Sequence, residues 1–236
     1  MVVAFPYMRR APIEVARSRL LLVVGLALAV SAPPLAAHSL KDVESDLHRD
    51  EHYAQFVDMP APEFRLIDLA GKPASLGDLR GKVVVLNFIY ARCTDVCPLH
   101  MNLIARLQSM VNAAHMSEQV RFITIATDTE DAKATRKIMA TYAKTYRLDT
   151  RNWRFLYRAD AARADTTQRV AETYGLKFTV AGAGVQMHGV VTHVIDQTGQ
   201  LRARFHGLKF EPVHLVTYVS ALVKDDHGMD SARRGS

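Results

Sequence analysis

Only two cysteines occur in this 236-residue chain, and both lie in one short stretch, Cys93-Thr94-Asp95-Val96-Cys97-Pro98. Whatever the chain does with sulfur it does there, so the segments on either side of that stretch constrain the fold more than any other feature. The run Val83-Val84-Val85-Leu86-Asn87-Phe88-Ile89 before it is apolar and β-branched without periodicity, which reads as a strand buried on both faces. After it, Pro98 suits the first position of a helix, where a missing N–H costs nothing, and Leu99, Leu103, Leu107 and Met110 follow at helical spacing. The thiols therefore stand at the carboxyl end of a central strand, with Cys97 near a helix N-cap and Cys93 in the loop before it. The short separation lets the two sulfurs meet, either as a disulfide or around one metal ion. Partial positive charge at a helix start also favours thiolate over thiol.

With 49% hydrophobic and 23% charged residues the chain has the composition of an ordinary protein with one well-buried domain. A leader precedes that domain. Arg9, Arg10, Arg17 and Arg19 are followed by the apolar run Leu20 to Val30 and then by Ser31-Ala32-Pro33-Pro34-Leu35-Ala36-Ala37. That is a signal-peptide layout, and the apolar run is shorter than the roughly 20 residues of a membrane span. Cleavage after Ala37 is expected, with retention as an anchor the alternative, so the protein is exported to the periplasm, soluble or held at the inner membrane by this segment alone. The formal charge is +6, of which the leader's four arginines and single glutamate account for three. The other basic residues, among them Lys133, Arg136, Lys137, Arg202 and Arg204, are scattered without aromatic interleaving, so a solvated face is expected and no nucleic-acid partner. In an oxidising compartment an idle cysteine pair becomes a disulfide, so a pair kept for chemistry needs a thiol reductant protein.

Along the chain, residues 1–37 form the leader and 38–58 a polar tether or short frayed helix, whose His38, His48 and His52 leave a weak metal-binding tail as an alternative. The folded domain is expected over 59–224 and a disordered tail over 225–236. Within the domain, Glu63 to Asp68 alternates as a half-exposed strand and Ala70-Gly71-Lys72 makes a hairpin turn. Val120 to Ala126 and Trp153 to Tyr157 read as strands, and Asp131 to Tyr146 and Ala161 to Tyr174 as helices, the second stopped by Gly175. Val190 to Asp196 and Leu201 to Phe205 flank the turn Gln197-Thr198-Gly199, and Pro212 to Leu222 is the last helix. Strands alternating with helices and closing in a hairpin give an α/β sandwich with a mixed sheet, and such sheets carry their sites at the carboxyl ends of strands.

The segments Pro62-Glu63-Phe64-Arg65-Leu66, Gly81-Lys82-Val83-Val84-Val85-Leu86-Asn87-Phe88 and Cys93-Thr94-Asp95-Val96-Cys97-Pro98 resemble the Sco/SenC family, the thioredoxin-like copper-handling factors of cytochrome c oxidase assembly. The resemblance runs from about Pro60 to Leu222. It implies a thioredoxin-like sandwich, a mixed central sheet flanked by helices with an N-terminal β-hairpin extension. It also implies that two cysteines and one distant histidine bind copper. The family's histidine lies eleven residues before the glycine of the late hairpin, and counting back from Gly199 gives His188. The implied metal set is Cys93, Cys97 and His188, the implied cofactor copper as Cu(I) or Cu(II), and the implied acceptor a cytochrome c oxidase subunit. This chain departs from the family in two places: Thr127-Asp128-Thr129-Glu130-Asp131 lacks the proline of the usual Asp-Pro motif, and Met187 stands where Asp is common.

Chemistry agrees with copper. Two thiolates and an imidazole are a soft set that suits Cu(I) and also holds Cu(II), whereas structural zinc wants four ligands. His193, within Val190 to Ile195, is read as a hydrogen-bonded sheet histidine facing away from residue 188. His100 and Met101 are read as core or partly exposed residues, with a place on the site's rim as the alternative, and Met187 as packing rather than a thioether ligand. Asp95 reads as a turn residue, and Asp128 either as a cap or as a residue that reaches the site. The chain is thus expected to be a copper metallochaperone rather than an enzyme. The alternative is an exported thiol–disulfide oxidoreductase that uses the same redox pair, Cys93 attacking and Cys97 resolving, on a copper-acceptor protein. Against that as the sole role, thioredoxin oxidoreductases place a cis-proline opposite their cysteines, and no proline occurs here between Pro98 and Pro212.

Overall fold

The computed structural model describes residues 39–180, 186–187 and 189–234. The leader and His188 lie outside the described residues. The strands are β1 (Ala54–Pro60), β2 (Arg65–Asp68), β3 (Pro73–Ser75), β4 (Val83–Ile89), β5 (Val120–Ala126), β6 (Trp153–Tyr157), β7 (Thr179–Val180), β8 (Gln186–Met187), β9 (Val191–Ile195) and β10 (Gln200–His206). The helices are α1 (Leu40–Asp50), α2 (Val96–Ala113), α3 (Ala132–Thr145), α4 (Thr166–Thr173) and α5 (Pro212–Arg234). Eight strands form one mixed sheet in the order β1-β10-β9-β4-β5-β6-β2-β3, and β7 and β8 pair separately. The middle of the sheet, β4, β5 and β6, is parallel, and β9 runs antiparallel to β4. This is the thioredoxin-like sandwich, with β2 and β3 as its hairpin extension.

Strand β4 is buried at every position because a packed core covers each of its faces. Val83, Val85 and Ile89 share a core with Met101, Ile104 and Leu107 of α2 and with Leu215 and Tyr218 of α5. Val84, Leu86 and Phe88 point the other way, into a second core with Phe64, Leu156, Tyr174 and Leu176. Each fully buried apolar side chain of this kind contributes roughly 1.5–3 kcal/mol. The β9–β10 turn is held by the Asp196 carboxylate, which accepts from Thr198 N and Gln200 N, both at 2.9 Å. Gly199 takes φ +80° there, a left-handed conformation that a side chain strains, and a Cβ would also have to displace the Arg80 guanidinium.

Four expectations need correction. The stretch expected to be a tether or frayed helix is folded: α1 opens with a reciprocal capping box between Ser39 and Asp42, buries Leu47, and leads into β1, which pairs with β10 along the sheet edge. Its polar groups meet partners far along the chain, such as Glu44 with Arg202 and Glu51 with His214, and local periodicity carries no trace of these. Helix α2 begins two residues before Pro98 and buries Cys97, His100, Met101, Ile104, Leu107, Gln108 and Val111, while Leu99 is 55% exposed. The expected stripe was rotated because His100 and Gln108 are buried through hydrogen bonds. Helix α4 starts only at Thr166, after a turn in which Asp165 pairs with Arg163 and Arg169. Helix α5 continues through Arg234 where a disordered tail was expected. Its anchored first turns remove the cost of nucleation, so each added residue needs only propagation. No helix among the described residues is long and apolar enough to cross a membrane.

Candidate metal centre

The β4 strand ends at Ile89, beside Ala126 of its parallel neighbour β5, so the loops that leave the two strands run side by side. The first loop carries Tyr90, Ala91, Arg92 and Cys93, and Cys93 N donates back to Tyr90 O at 3.0 Å to close a tight turn. Cys97 is the second residue of α2 and only 5% exposed, while Cys93 is half-buried. Both cysteines are free thiols.

Their environments push the two thiols apart. Burial raises Cys93, but the backbone N–H groups of Cys97, Asp95 and Val96 at the helix start, together with the Cys97 side chain, outweigh it, so its pKa lies below the ordinary thiol value. Burial dominates at Cys97, and the neighbouring Cys93 sulfur adds to it, so that thiol is pushed up to about 12 against a hydrogen bond from the Tyr90 backbone. The two thiols are thus poised unequally, Cys93 inclined toward the thiolate and Cys97 toward the protonated thiol, with a hydrogen bond between the two sulfurs.

The second loop, after β5, grips the first. Asp128, 2% exposed, accepts from Ala91 N at 2.7 Å and from the Arg92 guanidinium. Burial raises the Asp128 pKa, with the Ala91 N–H and Arg92 opposing. Arg92 also reaches Glu130 at 3.5 Å and Thr135 at 3.3 Å. Tyr90 donates its hydroxyl to Glu130 at 2.7 Å, and Tyr142 of α3 donates to Ala91 O at 3.0 Å. Burial, with Tyr146 and the charges of Cys97 and Cys93, pushes the Tyr142 hydroxyl up to about 12. Asp128 therefore reaches the thiol loop. Tyr90, Arg92, Glu130 and Tyr142 are site residues that sequence reasoning missed. The signal was the acidic run Asp128-Thr129-Glu130-Asp131 directly after a strand that parallels β4.

The remaining candidates divide. His100 is fully buried, with its Nε2 3.0 Å from Thr192 Oγ1, and ties α2 to β9 instead of forming a rim; Met101 is core. His193 is buried on the other face of the sheet, its Nε2 3.2 Å from Tyr174 O and its ring edge-on to Phe88 and Tyr174. Burial depresses its pKa to about 4, which fits a neutral sheet histidine. His48 stacks on Phe56 and His52 is exposed. His188, the expected third ligand, lies outside the described residues, and Met187 is placed in β8 by its backbone alone. Among the described residues no group of three or more His, Cys, Asp or Glu gathers as a metal cage. What they supply is a two-sulfur soft donor set, which fits Cu(I) better than any hard cation.

The family model described as SCO1/SenC matches residues 53–224, from the start of β1 into α5. The chain belongs to the SCO1/SenC family. Among its relatives is the SCO1 protein homolog of Bacillus subtilis (strain 168), 34% identical over 148 residues, which are 60% of this chain and 71% of the relative. Two solved structures share the fold. BsSco, a member of the Sco family of cytochrome c oxidase assembly proteins in which a disulfide switch was identified, aligns with a TM-score of 0.57 at 21% identity, over 72% of this chain and 96% of its own. Arabidopsis thaliana ScoI with copper bound aligns with a TM-score of 0.56 at 18% identity, over 71% of this chain and 98% of its own. The edge hairpin β2–β3 and the free dithiol after β4 are thus features of a SCO1/SenC protein.

Proposed function

We propose that this SCO1/SenC protein is a copper metallochaperone: reduced Cys93 and Cys97 bind one copper ion, His188 completes the set, and the ion passes to the copper site of cytochrome c oxidase. The observation that carries this reading is the free dithiol at the end of β4, where half-buried Cys93 in the loop lies just before buried Cys97 in the first turn of α2. The copper-bound structure of one relative and the assembly role named for another support it. Copper is cargo here. Cys93, the more acidic thiol, offers the first sulfur, and Cys97 gives up its proton as it becomes the second, so loading releases protons and apparent affinity rises with pH. Two thiolates with Cu(I) carry one net negative charge, and with Cu(II) none, so neither state buries a large charge. An exported protein, soluble or held by its N-terminal segment, would do this work in the periplasm, with a thiol reductant protein keeping the pair reduced.

The experiment is a competition titration of the reduced full chain against a Cu(I) chelator. Cys93→Ala and Cys97→Ala should each abolish tight binding, and His188→Ala should keep Cu(I) while losing most of the sulfur-to-Cu(II) charge-transfer absorption. Unchanged affinity in either cysteine variant would sink the reading.

The split thiol pKa values favour a second reading as well, reduction of a disulfide on the acceptor. The Cys93 thiolate attacks one sulfur and releases the other as a thiolate; Cys97 then loses its proton, attacks the Cys93 sulfur, displaces the acceptor sulfur bonded there as a second thiolate, and closes the Cys93–Cys97 disulfide. Turnover of a model disulfide without metal distinguishes this role from that of a carrier, which binds about one ion and turns over poorly.

A further inference from the structure

Ala91, two residues before Cys93, is 2% exposed, and both of its backbone polar groups are taken by side chains. Its N–H donates to Asp128 at 2.7 Å and its C=O accepts from the Tyr142 hydroxyl at 3.0 Å. The β4–β5 ladder ends one step earlier, with Thr127 N and Thr127 Oγ1 both on Ile89 O, so nothing in the sheet itself holds Ala91. On either side of it, Tyr90 is fastened to Glu130, and Arg92 to Asp128, Glu130 and Thr135. The loop is therefore gripped on the N-terminal side of Cys93. On the far side Cys97 is fixed in α2, which His100 pins to Thr192. Between them Thr94 and Asp95 are exposed.

We propose that Tyr142, acting with Asp128 and Glu130, is a positioning residue for copper capture. By holding Ala91 through its carbonyl while Asp128 holds its N–H, it sets the Cys93 sulfur against Cys97 before metal arrives, so that only Thr94 and Asp95 adjust on loading. The proposal rests on the copper-handling reading and deepens it: the gain is preorganisation, since a ligand already in place loses little freedom on binding. Tyr142 makes this contact from α3, a helix that contributes no ligand.

The test uses the full chain, reduced, with Tyr142→Phe, which deletes the hydroxyl and keeps the ring against Tyr146. Amide hydrogen exchange in the metal-free protein should rise over residues 91–95 and stay unchanged in β4 and the body of α2. Cu(I) affinity by chelator competition should fall about tenfold, the range seen when groups that orient metal ligands are removed, with the urea midpoint nearly unmoved. Tyr146→Phe should leave both readouts at the wild-type value. Unchanged exchange in Tyr142→Phe overturns the proposal, as does faster exchange with unchanged affinity. Wild-type protein that fails to bind copper overturns the copper reading, and this proposal with it, even where the exchange data show the grip.

Discussion

Arg92 and Arg202 keep nearly the same company at opposite sides of this protein. Arg92 lies between Asp128 and Glu130, and Tyr90 donates its hydroxyl to the glutamate. Arg202 lies between Glu44 at 3.3 Å and Asp196 at 3.4 Å, and Tyr218 donates to Glu44 at 2.9 Å. The two arginine side chains are about equally exposed, 27% and 21%. What differs is what each cluster fastens. The Arg202 cluster sits among packed elements, joining α1 to β10 and α5 next to Leu47 and Tyr218 in the core. The Arg92 cluster holds a loop that has left its sheet and carries a thiol. The same side chains therefore support fold stability in one place and ligand geometry in the other, and only their attachment reveals which.

That comparison is cleanest while the sheet shared by both clusters holds steady, and pH is what unsettles it most. His193 titrates near 4 in the folded protein because burial opposes its charge, against 6.5 for the free side chain. Between those values the unfolded chain takes up a proton that the folded chain refuses, so stability is full above pH 6.5 and is lost as pH falls toward 4. At about 1.4 kcal/mol per unit the loss amounts to about 3 kcal/mol. Urea denaturation of the reduced protein at pH 7 and pH 4.5 should show it, and His193→Gln should flatten the dependence. A variant as pH-sensitive as wild type would place the titrating group elsewhere.

Next in size is Arg202→Met, which leaves Glu44 and Asp196 without their shared cation. Both acids keep other donors, Tyr218 and the β9–β10 turn, so the expected loss is about 2 kcal/mol, below that of a fully buried pair broken on one side. Copper affinity should stay within twofold of wild type. A large affinity loss here would erase the division between the clusters, because it would mean that the edge of the sheet also sets the thiols.

The parallel strands were legible in the sequence because burial on both faces leaves an unbroken apolar run: β4, β5 and β6 have the limits expected of them. The two cysteines were legible for the same reason, since they sit where such a run stops. Regions whose order depends on distant partners were not. The α1 helix is polar by composition and is ordered through Arg202 and Tyr218, more than 150 residues away. The face of α2 was misjudged because Gln108 looks like a surface residue until Asp149 O and Asn152, at 2.8 and 2.7 Å, satisfy it in the interior. The grip on Ala91 escaped notice in the same way. A tyrosine, an arginine and a glutamate suggest a solvated face until the parallel register of β4 and β5 brings their two loops together.

The finest test removes one hydroxyl from each cluster. Tyr218 is fully buried, and Tyr218→Phe leaves Glu44 short of a donor in a site water reaches poorly, so stability should fall by about 1 kcal/mol with copper binding unchanged. Tyr90→Phe takes the corresponding donor from Glu130, which is 39% exposed, so water replaces the lost bond and the stability change should stay under about 0.5 kcal/mol. Its effect should fall on the loop instead: Glu130 turns less firmly toward Arg92, Ala91 loosens, and Cu(I) affinity drops by about threefold, less than for loss of the direct Tyr142 contact. Urea titration and chelator competition on both variants separate the two outcomes. Equal stability losses with equal affinities would mean that the loop cluster is ordinary packing, and that attachment to a thiol-bearing segment gives its arginine no separate task.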